Sequence, residues 1–105
     1  MARVAHFHAD ESLLWYIVDL AEASRNHPDV ALGASPRASL CLLRCARARA
    51  LLDGRHYFTH EDVHAVAQGV LGHRIIIRPE AEVEGKTVKE NVREIIAAVP
   101  VLDSV

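Results

Sequence analysis

The chain has 105 residues, enough for one small domain with a modest core that must be well filled. Half of it is hydrophobic and a quarter is charged, the balance of a soluble globular domain, and no apolar run approaches a membrane span. With 12 basic and 14 acidic residues the formal charge is −2, which gives no electrostatic footprint for nucleic acid or an anionic membrane.

Alanine is abundant and aromatic residues are few, so helices are the default expectation. Residues 1–9 show no clear period and read as a leading stretch or linker. No pattern of charged, apolar and cleavable regions marks a signal peptide, and a cytoplasmic setting is expected. Asp10 can cap a first helix over about 11–26, with Leu13, Leu14, Ile17, Val18 and Ala21 at helical spacing. Pro28 ends it.

Gly33-Ala34-Ser35-Pro36 is a helix start, with Ser35 as the cap and Pro36 as the first helical residue. This second helix should reach about Asp53, with Gly54 as the residue after its cap. Its apolar residues surround most of the circumference, which suggests a central helix. Cys41 and Cys45 lie within it and read as reduced, buried small side chains. A metal or redox pair is the lesser reading, because no second cysteine pair exists.

Thr59 caps a third helix, with Glu61 and Asp62 in its positive first turn. Val63, Val66, Ala67, Val70 and Leu71 form its buried stripe, and Gly72 closes it. Residues 75–77 are β-branched and suit a short extended piece, as does Tyr57-Phe58. Residues 80–85 read as a polar loop. Thr87 and Glu90 form another capping box. Val88, Val92, Ile95, Ile96 and Val99 are the stripe of a fourth helix that Pro100 ends. The fold class is therefore all-α, a small four-helix bundle with room for a short extended segment.

His60-Glu61-Asp62-Val63-His64 matches H-E-x-x-H, the spacing that puts two imidazoles on one helical face for zinc with Glu as general base. Several features oppose a small zinc metallopeptidase built on His60, Glu61 and His64. The motif starts at the first helical residue, no G-x-x-H continuation follows, and no pattern specifies His73, Glu82 or Glu84 as a third ligand. The positive helix end also repels a cation. A solvated first turn with surface histidines and no metal is the favoured reading. His56, His60 and His64 are spaced by four, but Gly54 and the Thr59 cap break the helix between them. Gly85-Lys86-Thr87 resembles the end of a P-loop, yet Glu80 stands where its first Gly belongs and Glu82 and Glu84 would repel phosphate. A loop followed by a helix cap accounts for it.

Ser35-Pro36-Arg37 carries more weight. An Arg in the first turn opposes the macrodipole, and a local rule broken often marks function. That turn also offers free N–H donors and a positive end, to which Arg37 adds a guanidinium suited to phosphate oxygens.

The run from Ile17 to Ile75 resembles the C-terminal lid of MoxR-family AAA+ ATPases. The matching pieces are Ser24-Arg25, the G-A-S-P-R-A of 33–38, Gly54-Arg55, Tyr57-Phe58, the capped start at 59–63 and the V-L-x-H-R-I of 70–75. Residues 90–101 resemble the family's terminal helix with its V-P-V ending. His60 departs from the family, which has Pro there, and that change creates the apparent zinc motif. The resemblance implies an all-α lid over 10–105 with Arg37 as the sensor-2 arginine, Ser35 and Pro36 beside it at the nucleotide. It implies ATP and Mg in an intact parent and none in this chain, which by itself should not be an enzyme. The partners it implies are a separate AAA+ core and neighbouring subunits of a ring. A von Willebrand A protein would be a further partner, and chaperone-like maturation of other complexes the parent's role. A free-standing helical adaptor that binds a protein is the remaining alternative.

Overall fold

The computed structural model describes residues 2–100, with side chains described from Glu11 onward. The order of elements is α1 (Ala2–Asn26), β1 (Val30–Leu32), α2 (Pro36–Leu52), α3 (His60–Leu71), β2 (Ile76–Ile77), α4 (Pro79–Val83) and α5 (Val88–Ala98). The chain is predominantly helical, as expected, with a small two-stranded sheet.

The first helix departs from expectation at its start. It runs unbroken from Ala2, so Asp10 is an interior residue and not a cap, and the backbone of residues 2–9 is helical. Its buried stripe is Leu13, Tyr16, Ile17, Leu20, Ala21 and Ser24, while Leu14 and Val18 face outward. That set repeats at three and four residues, one face of a helix.

The second helix is less central than its composition suggests. Its buried residues are Ala38, Leu42, Ala46 and Ala50, one per turn, while Leu40, Leu51 and Leu52 are exposed. Three of those four are alanines, small enough to let α1 and α3 approach its backbone. The stop forms as the sequence predicts. Gly54 has φ +77°, its N–H donates to Leu51 O at 2.9 Å, and Arg55 N–H donates to Ala50 O at 2.9 Å. This is the Schellman pattern, which needs a left-handed residue after the cap.

Two elements lie outside the expected set. Val30–Leu32 forms a strand that pairs antiparallel with Ile76–Ile77, with Val30 opposite Ile77, Leu32 opposite Ile76 and an irregularity between. The extended piece at residues 75–77 thus has a partner, whereas Tyr57-Phe58 forms no strand. The stretch read as a polar loop contains α4, started by Pro79 at its first position with Glu80 and Glu82 in its first turn. The last helix starts as predicted, with Thr87 Oγ1 accepting from Glu90 N–H at 3.1 Å, and it buries Val92 and Ile95. Val101 of the V-P-V ending lies outside the described residues.

The core is one cluster that joins α1, α2, α3 and α5, with Phe58 inserted from the α2–α3 connection and Val30 and Ile75 from the sheet region.

Candidate functional site at the start of helix α2

Helix α2 begins where Ser35 ends an extended stretch (φ −81°, ψ 168°), and its hydroxyl accepts from Ala38 N–H at 3.4 Å. Pro36, the first helical residue, has no N–H to satisfy. The Ala38 N–H also reaches Ser35 O at 2.9 Å. That leaves the Arg37 N–H as the open donor of the turn. The expectation of several free donors therefore reduces to one.

The Arg37 side chain is exposed, with no hydrogen-bond or ion-pair partner among the described residues. A guanidinium and one backbone N–H thus project from the positive end of a 17-residue helix. Together they can hold one anionic group. They do not make a complete nucleotide site, and no Mg ligand pair lies in the turn.

The position of that turn is fixed from behind. The fully buried Ser24 hydroxyl donates to Ala21 O at 2.6 Å and accepts from Ala34 N–H at 2.8 Å. Arg25 Nε donates to Ala34 O at 3.1 Å. Gly33 passes so close to α1 that a Cβ there would lie 2.6 Å from the Arg25 Cα. The last turn of α1 therefore grips both polar groups of Ala34, one residue before the cap. This explains physically why a hydroxyl-Arg pair and a Gly-Ala pair belong to one motif although seven residues separate them.

A second polar centre went unread in the sequence. Asp62 is fully buried at the start of α3. It accepts from Arg49 Nη1 at 2.6 Å, from Arg55 Nη1 and Nη2 at 2.8 Å each, and from Thr59 N–H at 2.8 Å. The Arg55 hydrogen bonds hold its carboxyl well below the usual carboxylate range against the opposing effect of burial, with help from the Thr59 N–H and Arg49. The same bonds push Arg55 above the ordinary guanidinium range. This cluster ties the end of α2 to the start of α3. The readable signal was an Arg in the last turn of one helix and a carboxylate in the capping box of the next.

The H-E-x-x-H residues do not converge as a zinc site. His64 is half-buried, not solvent-facing, and its Nε2 lies 2.5 Å from Tyr16 Oη. Burial, then the neighbouring His60, pushes the His64 pKa down. The His60 and His64 rings meet edge to face at 5.6 Å between centroids. A metal at His64 Nε2 would have to displace the tyrosine. Gly85-Lys86-Thr87 is a loop and cap, with Gly85 at φ +88° and the Lys86 ammonium 3.7 Å from Glu94 and 3.9 Å from Asp29. Cys41 and Cys45, expected to be buried, are only half-buried.

Five helices and a two-stranded ribbon, with a capped Ser-Pro-Arg turn left open, make a small predominantly helical domain. The model of the AAA lid domain matches residues 22–95, and the chain belongs to that family, in its MoxR type. The Bacillus subtilis protein YeaC is 43% identical over 98 residues, which cover 93% of this chain and 31% of YeaC. The protein MoxR of Paracoccus denitrificans is 39% identical over 88 residues, 71% of this chain and 26% of that protein. The solved structure of a candidate ATPase from Cytophaga hutchinsonii superposes with a TM-score of 0.83 at 35% identity, over 89% of this chain and 31% of that one. The chain thus spans about a third of the length of these relatives. Among the described residues no helix is long and apolar enough to cross a membrane.

Proposed function

We propose that this chain is the nucleotide-sensing lid of a MoxR-type AAA+ ATPase, with Arg37 as its sensor-2 arginine. The observation that carries this reading is a guanidinium without a partner among the described residues, on a turn that α1 pins in place. A long side chain held at its base and free at its tip is arranged to meet something from outside the domain. ATP with Mg, bound on a separate core, would supply the phosphoryl group to be transferred. Arg37, with its own N–H and the α2 dipole, would stabilise negative charge there and pass the nucleotide's state to the lid. Ser35 and Pro36 serve by shaping the turn. In this reading the lid proper spans 10–105, residues 1–9 lead into it, and the chain alone does not turn over ATP. The parent would work in the cytoplasm as a ring, with chaperone-like action on other complexes and a von Willebrand A protein as a partner.

The test is Arg37→Ala in two settings. In this chain thermal unfolding should stay nearly unchanged, as is usual for exposed side chains, within about 0.5 kcal/mol. In the full-length ATPase turnover should fall on the order of a hundredfold, the common cost of losing one charge-stabilising group. A large loss of stability with normal turnover per folded enzyme would reject the assignment.

A further inference from the structure

Cys41 and Cys45 lie one turn apart on α2, half-buried, with their sulfurs 4.0 Å from each other. They line an open groove of about 430 Å³ between α2 and α3, whose lining also includes His73 and Arg74 just beyond the end of α3. The geometry points to a binding site for a thiophilic divalent cation of the zinc class, held by Cys41 and Cys45 with His73 as third ligand and water as the fourth.

Two magnitudes favour a cation over a disulfide. Tetrahedral zinc with Zn–S bonds of about 2.3 Å holds its two sulfurs about 3.8 Å apart, close to the separation seen. A disulfide needs Cβ atoms about 3.5–4.5 Å apart, whereas residues one turn apart on a helix hold theirs about 5–6 Å apart. Closing that bond would distort α2, while bridging the sulfurs through a metal would not. The i, i+4 spacing also leaves both ligands on one face, the face turned to the groove.

His73 supplies what the sequence lacked, since no second cysteine pair exists. Its side chain is exposed and has no hydrogen-bond partner among the described residues; its ring nitrogens stand outside ligand distance of the two sulfurs, so binding requires the ring to turn toward them. Arg74 Nη2 now donates to Cys41 Sγ at 3.7 Å. Arg74 is exposed and can leave when a cation arrives.

A rival cluster fails on chemistry. His27, Asp29 and Glu94 place their ligand atoms within 4.8 Å of one another. However, His27 Nδ1 accepts from Asp29 N–H at 3.0 Å, so in the neutral ring the proton sits on Nε2, the atom that faces Glu94 at 2.8 Å. A metal-bound histidine needs the reverse, a lone pair toward the metal and a proton on the other nitrogen. The Lys86 ammonium also already faces both carboxylates.

The experiment is a zinc titration of the reduced, tag-free chain against a chromophoric chelator, repeated with cobalt as a spectroscopic stand-in. One equivalent should bind and give thiolate-to-cobalt charge-transfer absorption. Cys41→Ser and Cys45→Ser, checked for native circular dichroism, should each abolish the absorption and weaken zinc by upward of about a hundredfold. That exceeds the roughly ten- to hundredfold cost of losing an outer-shell partner. His73→Ala should weaken zinc by at least about tenfold and keep the sulfur absorption. The site is overturned if no saturable binding occurs, if both cysteine variants bind as well as the parent, or if His73→Ala keeps full affinity. It is also overturned if His27→Ala or His64→Ala, rather than the cysteine variants, removes the metal.

Discussion

Asp62 shows how much one carboxylate can hold. Four donors from two arginines and a backbone N–H converge on a group with no solvent access. Removing the carboxylate leaves those donors without their acceptor, but Arg49 and Arg55 are partly exposed, so Asp62→Ala should cost about 1–3 kcal/mol, the penalty of orphaned hydrogen-bond partners. Urea unfolding of the two proteins measures this, and a loss below about 1 kcal/mol would mean the arginines find water instead. Acid should act on the same group. Its folded pKa lies below its unfolded value of 3.8, so its contribution is complete above that pH and fades as pH falls below it. Asp62→Asn should therefore flatten that part of the stability-pH curve. Neither arginine was linked to Asp62 in the sequence, because the pairs depend on how the α2–α3 connection turns. Arg37 stands out as a candidate for the opposite reason. Its oddness is local, a cation in the wrong turn of a helix, and the flanking G-A-S-P-R-A resembles a known family.

At the scale of elements, local chemistry was readable and pairing was not. Ser35, Pro36, Gly54, Thr59 and Thr87 each mark a helix boundary by their own stereochemistry, and each boundary lies where they put it. Strand β1 has three residues, too few to show alternation, and exists because Ile76–Ile77 lies beside it. Helix α4 has five residues, and only Pro79 announced it. The long run of α1 before Glu11 had no stripe to reveal it. The join between α1 and α2 allows a sharp test. Ser24→Ala removes the acceptor of the buried Ala34 N–H and should cost about 1–3 kcal/mol. Gly33→Ala should cost a similar amount by overpacking, since its new Cβ would meet the Arg25 backbone 2.6 Å away. If Arg37 acts as proposed, both should also lower turnover of a full-length ATPase more than stability alone explains, because they move the base of that side chain. Turnover that stays normal per folded molecule would show that the turn tolerates displacement.

Over the whole molecule the helices form a closed arrangement. Helix α2 packs on α1 and α3, and α5 closes against α1 and α3. Leu42 sits fully buried within the single core cluster that all of them share. A core shared in this way leaves no pair of helices able to persist alone, so unfolding should be a single cooperative event. Leu42→Ala removes a fully buried side chain, and the cost should be about 2–5 kcal/mol, a large part of the roughly 5–15 kcal/mol typical of a whole domain. Leu52 is the control on the same helix: it is 91% exposed, and Leu52→Ala should change stability by less than about 0.5 kcal/mol. Denaturant curves followed by far-ultraviolet circular dichroism and by the near-ultraviolet aromatic signal, to which Tyr16 in the core contributes, should coincide for all three proteins. In Leu42→Ala both curves should shift together to lower denaturant with the slope unchanged. If the helical signal outlasted the aromatic signal, and a Tyr57→Phe variant behaved the same way, part of the bundle would be standing without α1. The lid would then be two units, and the pinning of the Arg37 turn by α1 could be released without unfolding the rest.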